Sequence, residues 1–241
     1  MPRIRSATGS AQRSVPPPHV GLCLVQPLVL FDLDNTLMNR QRSLAAWAAR
    51  FCHRHGLTTE SEAWLFALLE ARATPAHFAL VRDRFGLSDS AGTLWGGYCA
   101  DVAGAAVCPP AVLSGLAGLR ATGWRVGVLT NGAADIQRAK LRATGIVDCV
   151  DGVCISGETG LRKPDPAAFR EAVDHCGPGR GCTGAWMIGD NPVADMGGGR
   201  AAGLRTIWVG HGVRWPAELV VPDHRVTNAL AAIRLLQSFG K

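Results

Sequence analysis

Leu28-Val29-Leu30-Phe31-Asp32-Leu33-Asp34-Asn35-Thr36-Leu37 is a continuous apolar run that ends in two carboxylates. A run of this kind reads as a strand buried on both faces of a parallel sheet. Side chains alternate along a strand, so Asp32 and Asp34 lean the same way from its carboxyl end, the edge at which open α/β sheets bind ligands. Carboxylates this close repel unless a cation sits between them or one keeps its proton, and either arrangement serves catalysis. The same letters also suit an ordinary strand-to-turn junction, where Asp and Asn are common.

Downstream of this run, apolar spacing predicts helices over Leu44 to His55, stopped by Gly56, then over Glu60 to Arg72, His77 to Phe85 and Ala91 to Ala106. The next strand arrives only at Trp124. One helix suffices to cross between parallel strands, so residues 38–107 are surplus to the sheet and read as an inserted helical subdomain, a lid above the strand end. Its aromatics Trp47, Phe51, Trp64, Phe66, Phe78, Trp95 and Tyr98 read as the lid's own core rather than as a stacking surface for a ligand. From Pro109 onward helix and strand alternate: strands at Trp124 to Leu129, Val150 to Ile155, Ala185 to Ile188 and Leu204 to Val209, with helices between and a last one at Asn228 to Phe239. The expectation is an α/β fold with a doubly wound parallel sheet, Rossmann-like, its strand-to-helix turns on one edge.

Residues 1–26 carry Ser, Gly and a Pro-Pro-Pro run with few apolar residues, and are expected to form a flexible leader dispensable for turnover. Arg3, Arg5 and Arg13 there supply half of the formal net charge of +6. No Lys/Arg cluster interleaves with aromatics, so no nucleic-acid partner is expected. No apolar stretch nears the ~20 residues of a membrane span. Eight scattered cysteines, none in a C-x-x-C pair, read as reduced thiols of a cytoplasmic protein; Cys149 and Cys154 lack a second ligand pair for zinc.

The polar segments that could carry chemistry each follow a strand on the one edge: Asp32 and Asp34, Thr130 and Asn131, Lys163, then Asp190 and Asp195. Lys163 is one of only three lysines, with Lys140 and Lys241, in a chain rich in arginine, which suggests a need for a compact ammonium there. Taken in order, Asp32-Leu33-Asp34-Asn35-Thr36, Leu129-Thr130-Asn131-Gly132, Arg162-Lys163-Pro164-Asp165 and Gly189-Asp190-Asn191-Pro192-Val193-Ala194-Asp195 resemble the four motifs of the haloacid dehalogenase-like (HAD) superfamily. The insertion at 38–107 resembles the helical cap of its C1-capped phosphatases.

The resemblance implies a Mg²⁺-dependent hydrolysis of a small phosphate monoester through an aspartyl-phosphate. It makes Asp32 the nucleophile and Asp34 the general acid and base. Thr130, Asn131 and Lys163 hold phosphate oxygens. Asp32, Asp190 and the backbone carbonyl of Asp34 hold the metal, with Asp195 in its outer shell. Asn39 and Arg40, directly after the nucleophile strand, are expected to set which ester is accepted. True dehalogenases of this family lack the second aspartate of the first motif, and phosphonate-cleaving members need a cap lysine, absent between Met38 and Val107. A phosphosugar mutase, marked by dependence on a bisphosphate activator, and a non-catalytic binding module are the alternatives. The cap's seven arginines and six acids do not name the substrate: sugar phosphates, phosphoglycolate-like acids and nucleoside monophosphates all fit.

Overall fold

Val29 and Phe31 of β1 (Leu28–Phe31) pack into one apolar layer while Leu28 and Leu30 pack into the layer on the opposite face, and all four are buried, as the run of apolar residues requires. The computed structural model describes residues 26–177 and 184–239. Nearly all of the expected leader lies outside these residues, as do Cys23, Cys182, Lys241 and most of the loop between Gly177 and Gly184.

β1 is central in a six-stranded sheet with β2 (Arg125–Thr130), β3 (Gly152–Ile155), β4 (Trp186–Gly189), β5 (Arg205–Val209) and β6 (His224–Val226). The order is β3-β2-β1-β4-β5-β6 and every pairing is parallel. The chain reverses its direction of winding beside β1, which opens a crevice at the carboxyl ends of β1 and β4. Helices α5 (Pro110–Ala121), α6 (Ala134–Ala143) and α10 (Ala229–Phe239) cover one face; α8 (Pro166–Cys176) covers the other, with Met196 and Leu204 beside it. Gly127 lets α8 approach: a Cβ there would fall on Cys176 Sγ and lie 2.8 Å from Leu30.

Between β1 and α5 stand α1 (Arg40–His55), α2 (Thr59–Leu69), α3 (Pro75–Phe85) and α4 (Ala91–Gly104). Asn39 caps α1, its side chain accepting from the Arg42 N–H, and Gly56, at φ 63°, ends it in the left-handed conformation. These four helices have their own core. Trp47 meets Tyr98 edge-on at 4.9 Å and Phe78 at 6.0 Å, with Phe51 and Trp95 completing the cluster; Trp64 and Phe66 are half-buried against it. The aromatics expected to form the lid's interior do so. From the sheet-bearing part, Ile136 of α6 enters this core, and Trp95 Nε1 donates to Asp135 at 2.5 Å. The two crossings between the helices and the sheet run side by side, joined by Ser43 Oγ donating to the Ala105 carbonyl at 3.3 Å.

Departures from the sequence reading at α2, after β4 and at two short elements have physical causes. α2 ends at Leu69 rather than Arg72, because the Arg40 guanidinium donates to the carbonyls of Leu69 and Glu70 and satisfies the helix end there. The helix expected between the strands at Ala185 to Ile188 and Leu204 to Val209 begins as a π-helical turn, Pro192–Gly197, leading into α9 (Gly198–Ala201), with Asp195 buried. β6 and the one-turn α7 (Ser156–Thr159) have too few apolar residues to announce themselves. Among the described residues six cysteines are free thiols and all but Cys149 are buried; burial pushes Cys99, Cys108 and Cys176 up to about 12, leaving them un-ionised. No helix among the described residues is long and apolar enough to cross a membrane.

Candidate active site

Asp32 follows β1 directly, its N–H donating to the Ile188 carbonyl of β4 at 2.8 Å, so its carboxylate sits in the crevice between the two strands. Lys163 Nζ lies 2.6 Å from Asp32 Oδ1, 2.7 Å from Asp195 Oδ1 and 2.8 Å from the Leu129 carbonyl. All three residues of this ion-pair group are buried. The Asn131 side chain grips the backbone of Lys163 in both directions, its amide nitrogen donating to the Lys163 carbonyl at 2.9 Å and its oxygen accepting from the Lys163 N–H at 3.0 Å. Burial raises the Asp32 pKa well above the ordinary carboxylate range, more than Lys163 can offset, and Asp195 and Asp190 add to the rise. Burial alone would lower the Lys163 ammonium, but Asp195 and Asp32 beside it carry it above its ordinary value.

Asp34 is held by a second lysine. Lys140 Nζ reaches its two oxygens at 2.8 and 2.9 Å, Gln137 Nε2 donates to it at 3.2 Å, and Arg40 Nε lies 3.9 Å away. Lys140 and Gln137 are three residues apart on α6 and therefore neighbours on its surface; the ammonium also donates to Gln137 Oε1 at 2.9 Å. Gln137 Nε2 further donates to the Thr130 hydroxyl at 2.6 Å. Lys140 is only 2% exposed. It is one of only three lysines in the chain, and a scarce lysine on a helix that follows a loop of the sheet's ligand-binding edge was the signal available in the sequence.

Asp190 follows β4, and one oxygen from each of Asp32, Asp190 and Asp195 lies within 4.8 Å of the others. Burial, then the Asp195 charge, pushes Asp190 up to about 6. An all-carboxylate set whose charges repel one another in a buried crevice suits a hard divalent cation, which would relieve that repulsion. Asp195 Oδ2 also accepts from the Asn191 N–H at 3.0 Å. Gly189 makes room for this arrangement, since a Cβ there would fall on the Asp195 carboxylate and lie 2.6 Å from its Cβ. The Gly189→Ala protein is therefore expected to lose roughly 10- to 100-fold in divalent-cation affinity by displacing Asp195. Titration with Mg²⁺, followed by the rise in melting temperature, checks this, and an unchanged affinity would exclude it.

Asp32, Asp34, Asn131, Lys163, Asp190 and Asp195 line one cavity of about 270 Å³, with Arg40 and Tyr98 reaching it from the four-helix unit. A larger cavity of about 660 Å³ adjoins it through Asn35 and Asp190, but lacks Asp32 and Lys163; Asn39 lines this second one. Thr130 is buried behind the acids, its hydroxyl accepting from Gln137.

A family model described as haloacid dehalogenase-like hydrolase matches residues 27–203. The chain belongs to the haloacid dehalogenase-like hydrolases. Within this family it is 44% identical over 111 residues to a phosphoserine phosphatase from Thermus thermophilus, a match that covers 46% of this chain and 44% of that protein. The match thus spans under half the length of that relative. A phosphoglycolate phosphatase from Rhodospirillum rubrum is 33% identical over 197 residues, 76% of this chain and 79% of that protein. The magnesium-bound HAD-hydrolase YfnB from Bacillus subtilis superposes with a TM-score of 0.69 at 21% identity, covering 87% of this chain and 98% of that one, and shares the fold.

Proposed function

We propose that this HAD-like hydrolase is a phosphatase of small phosphate monoesters that works with Mg²⁺ through an aspartyl-phosphate on Asp32. One observation carries the reading: two carboxylates two residues apart face one cavity, each held by its own buried lysine, Asp32 by Lys163 and Asp34 by Lys140. Lys163 binds Asp32 Oδ1, which leaves Oδ2 to attack phosphorus. As the ester P–O bond breaks, Asp34 donates its proton to the leaving oxygen; it then takes one from the water that attacks the aspartyl-phosphate, freeing Asp32 and inorganic phosphate. Lys140 and Gln137 fix the Asp34 carboxylate in place for both transfers.

Asp32, Asp190 and the Asp34 backbone carbonyl would hold Mg²⁺, which when bound supplies positive charge to the transferring phosphoryl group. One oxygen of Asp195 accepts from the Asn191 N–H and the other is ion-paired with Lys163 at 2.7 Å, which supports an outer-shell place for it. Because the Asn131 side chain is committed to the Lys163 backbone, its contact with phosphate falls to the main-chain N–H. The helices α1 to α4 act as the cap. Arg40, between Asp34 and the end of α2, ties cap position to the acid, while Asn39 acts through the first turn of α1.

Chelation is expected to abolish hydrolysis of an aryl phosphate and added Mg²⁺ to restore it, read as phosphate release. Full turnover with chelator present would rule the mechanism out.

A further inference from the structure

Two cations of the 270 Å³ cavity have no anion. Lys163 is matched by Asp32 and Asp195, Lys140 by Asp34, and Arg40 by the α2 carbonyls together with Asp34. Arg72, between α2 and α3, and Arg162, immediately before Lys163, line the same cavity, and among the described residues neither guanidinium makes a hydrogen bond or an ion pair, the Arg162 carbonyl alone accepting from the Asp165 N–H at 2.9 Å. Glu70 also lines it, unpaired with either. The two arginines come from opposite sides, one from the cap and one from the sheet-bearing core. They lie near enough that Arg162, lowered first by partial burial, is lowered further by the Arg72 charge. Both also line the adjoining hollow at Gly132 and Ser156, which Asp32, Lys163, Asp190 and Asp195 do not reach. The pair therefore stands outward of the position the reacting phosphate takes. The carboxylate of Asp135 in that hollow is already committed to Trp95 Nε1 and the Ile136 N–H.

Two guanidiniums that line one cavity with no ion pair to either repel, and an oxyanion held by both removes the repulsion while accepting paired N–H donors. The small cavity leaves space for a compact acid rather than a bulky second phosphate-bearing sugar. We propose that the substrate is a phosphorylated carboxylic acid, its carboxylate clamped between Arg72 and Arg162 while its phosphate ester lies against Asp32. This rests on the phosphatase reading for the ester and adds what the other end must be.

The test compares 3-phosphoglycerate with glycerol 3-phosphate, which differ by the carboxylate, in two readouts: kcat/KM for the unmodified protein, and Kd for the Asp32→Asn protein by calorimetry with Mg²⁺. The acid is expected to be favoured at least about tenfold, the lower end for charge-assisted hydrogen bonds. In Arg72→Gln and in Arg162→Gln that ratio should fall toward one, with Arg→Lys retaining part of it. Equal affinity for the two esters, or a preference that survives both Gln substitutions, would overturn the clamp. If no ester, aryl phosphate included, were hydrolysed, the phosphatase reading would fail and the Kd ratio would still decide the clamp; if aryl phosphate were hydrolysed with no preference for the acid, the clamp alone would fail.

Discussion

An Asp32→Asn protein is expected to hydrolyse no phosphate ester and to carry no phosphoryl group, whereas Asp34→Asn, given an aryl phosphate, is expected to accumulate a phosphoenzyme. The amide at 32 keeps the shape of the carboxylate and its oxygen can still accept from Lys163, so the fold has little reason to change, but the nucleophile is gone. The amide at 34 cannot exchange protons, a role worth roughly 10²- to 10⁴-fold in rate. An aryl leaving group needs little protonation, so the first step is largely spared while attack by water is not. Asp34→Asn also strips the buried Lys140 of its anion, so both variants are compared below their melting transitions. Intact mass after rapid acid quench reads the outcome. A phosphorylated Asp32→Asn, or an Asp34→Asn that turns over aryl phosphate at the unmodified rate, would mean the two acids are assigned wrongly.

The second large effect belongs to Lys163. Replacing it with methionine leaves Asp32 and Asp195 buried with no cation between them, and breaking a buried pair from one side costs about 3–5 kcal/mol. In chelator the Lys163→Met protein is therefore expected to unfold at much lower denaturant, and Mg²⁺ should recover part of the loss through the same carboxylates. Stability equal to that of the unmodified protein in chelator would show that the pairs contribute nothing net. The unmodified protein in chelator carries a related signature. Asp190 titrates at about 6 against an ordinary 3.8, so stability is full below the ordinary value and is lost as pH rises through the shifted one. Mg²⁺ should cancel that decline.

The strands that position the chemistry were legible because each is a short apolar run closed by a polar turn; Asp32 and Asp190 were found as the residues at such turns, and Lys163 follows β3 only after α7. What escaped was side-chain pairing across the fold. Nothing in the letters around Lys140 says that α6 turns this lysine toward Asp34, 106 positions earlier, because a helix face is chosen by what packs against it. Arg40 was expected to help set which ester is accepted, from its nearness to the nucleophile strand; that its guanidinium ends α2 depends on how α1 and α2 cross, a tertiary fact. Asn131 could be placed beside the phosphate position by its motif, but not its grip on the Lys163 backbone, which joins two loops 32 residues apart. β6 was missed because a three-residue edge strand with one apolar side chain has no period to detect.

The side-by-side crossings at Ser43 and Ala105 make the four-helix unit a graft. Its stem is narrow and its two ends begin and finish at nearly the same point, so the sheet sees a loop closed at its base whatever hangs above it. With a core of its own, apart from the two layers of the sheet, the graft can be exchanged or remodelled while the acids and lysines below keep their places. The carboxylates of the sheet edge and the helices above them thus stand on separate parts of one chain, and Arg40 and the Trp95–Asp135 bond are the seam where they meet.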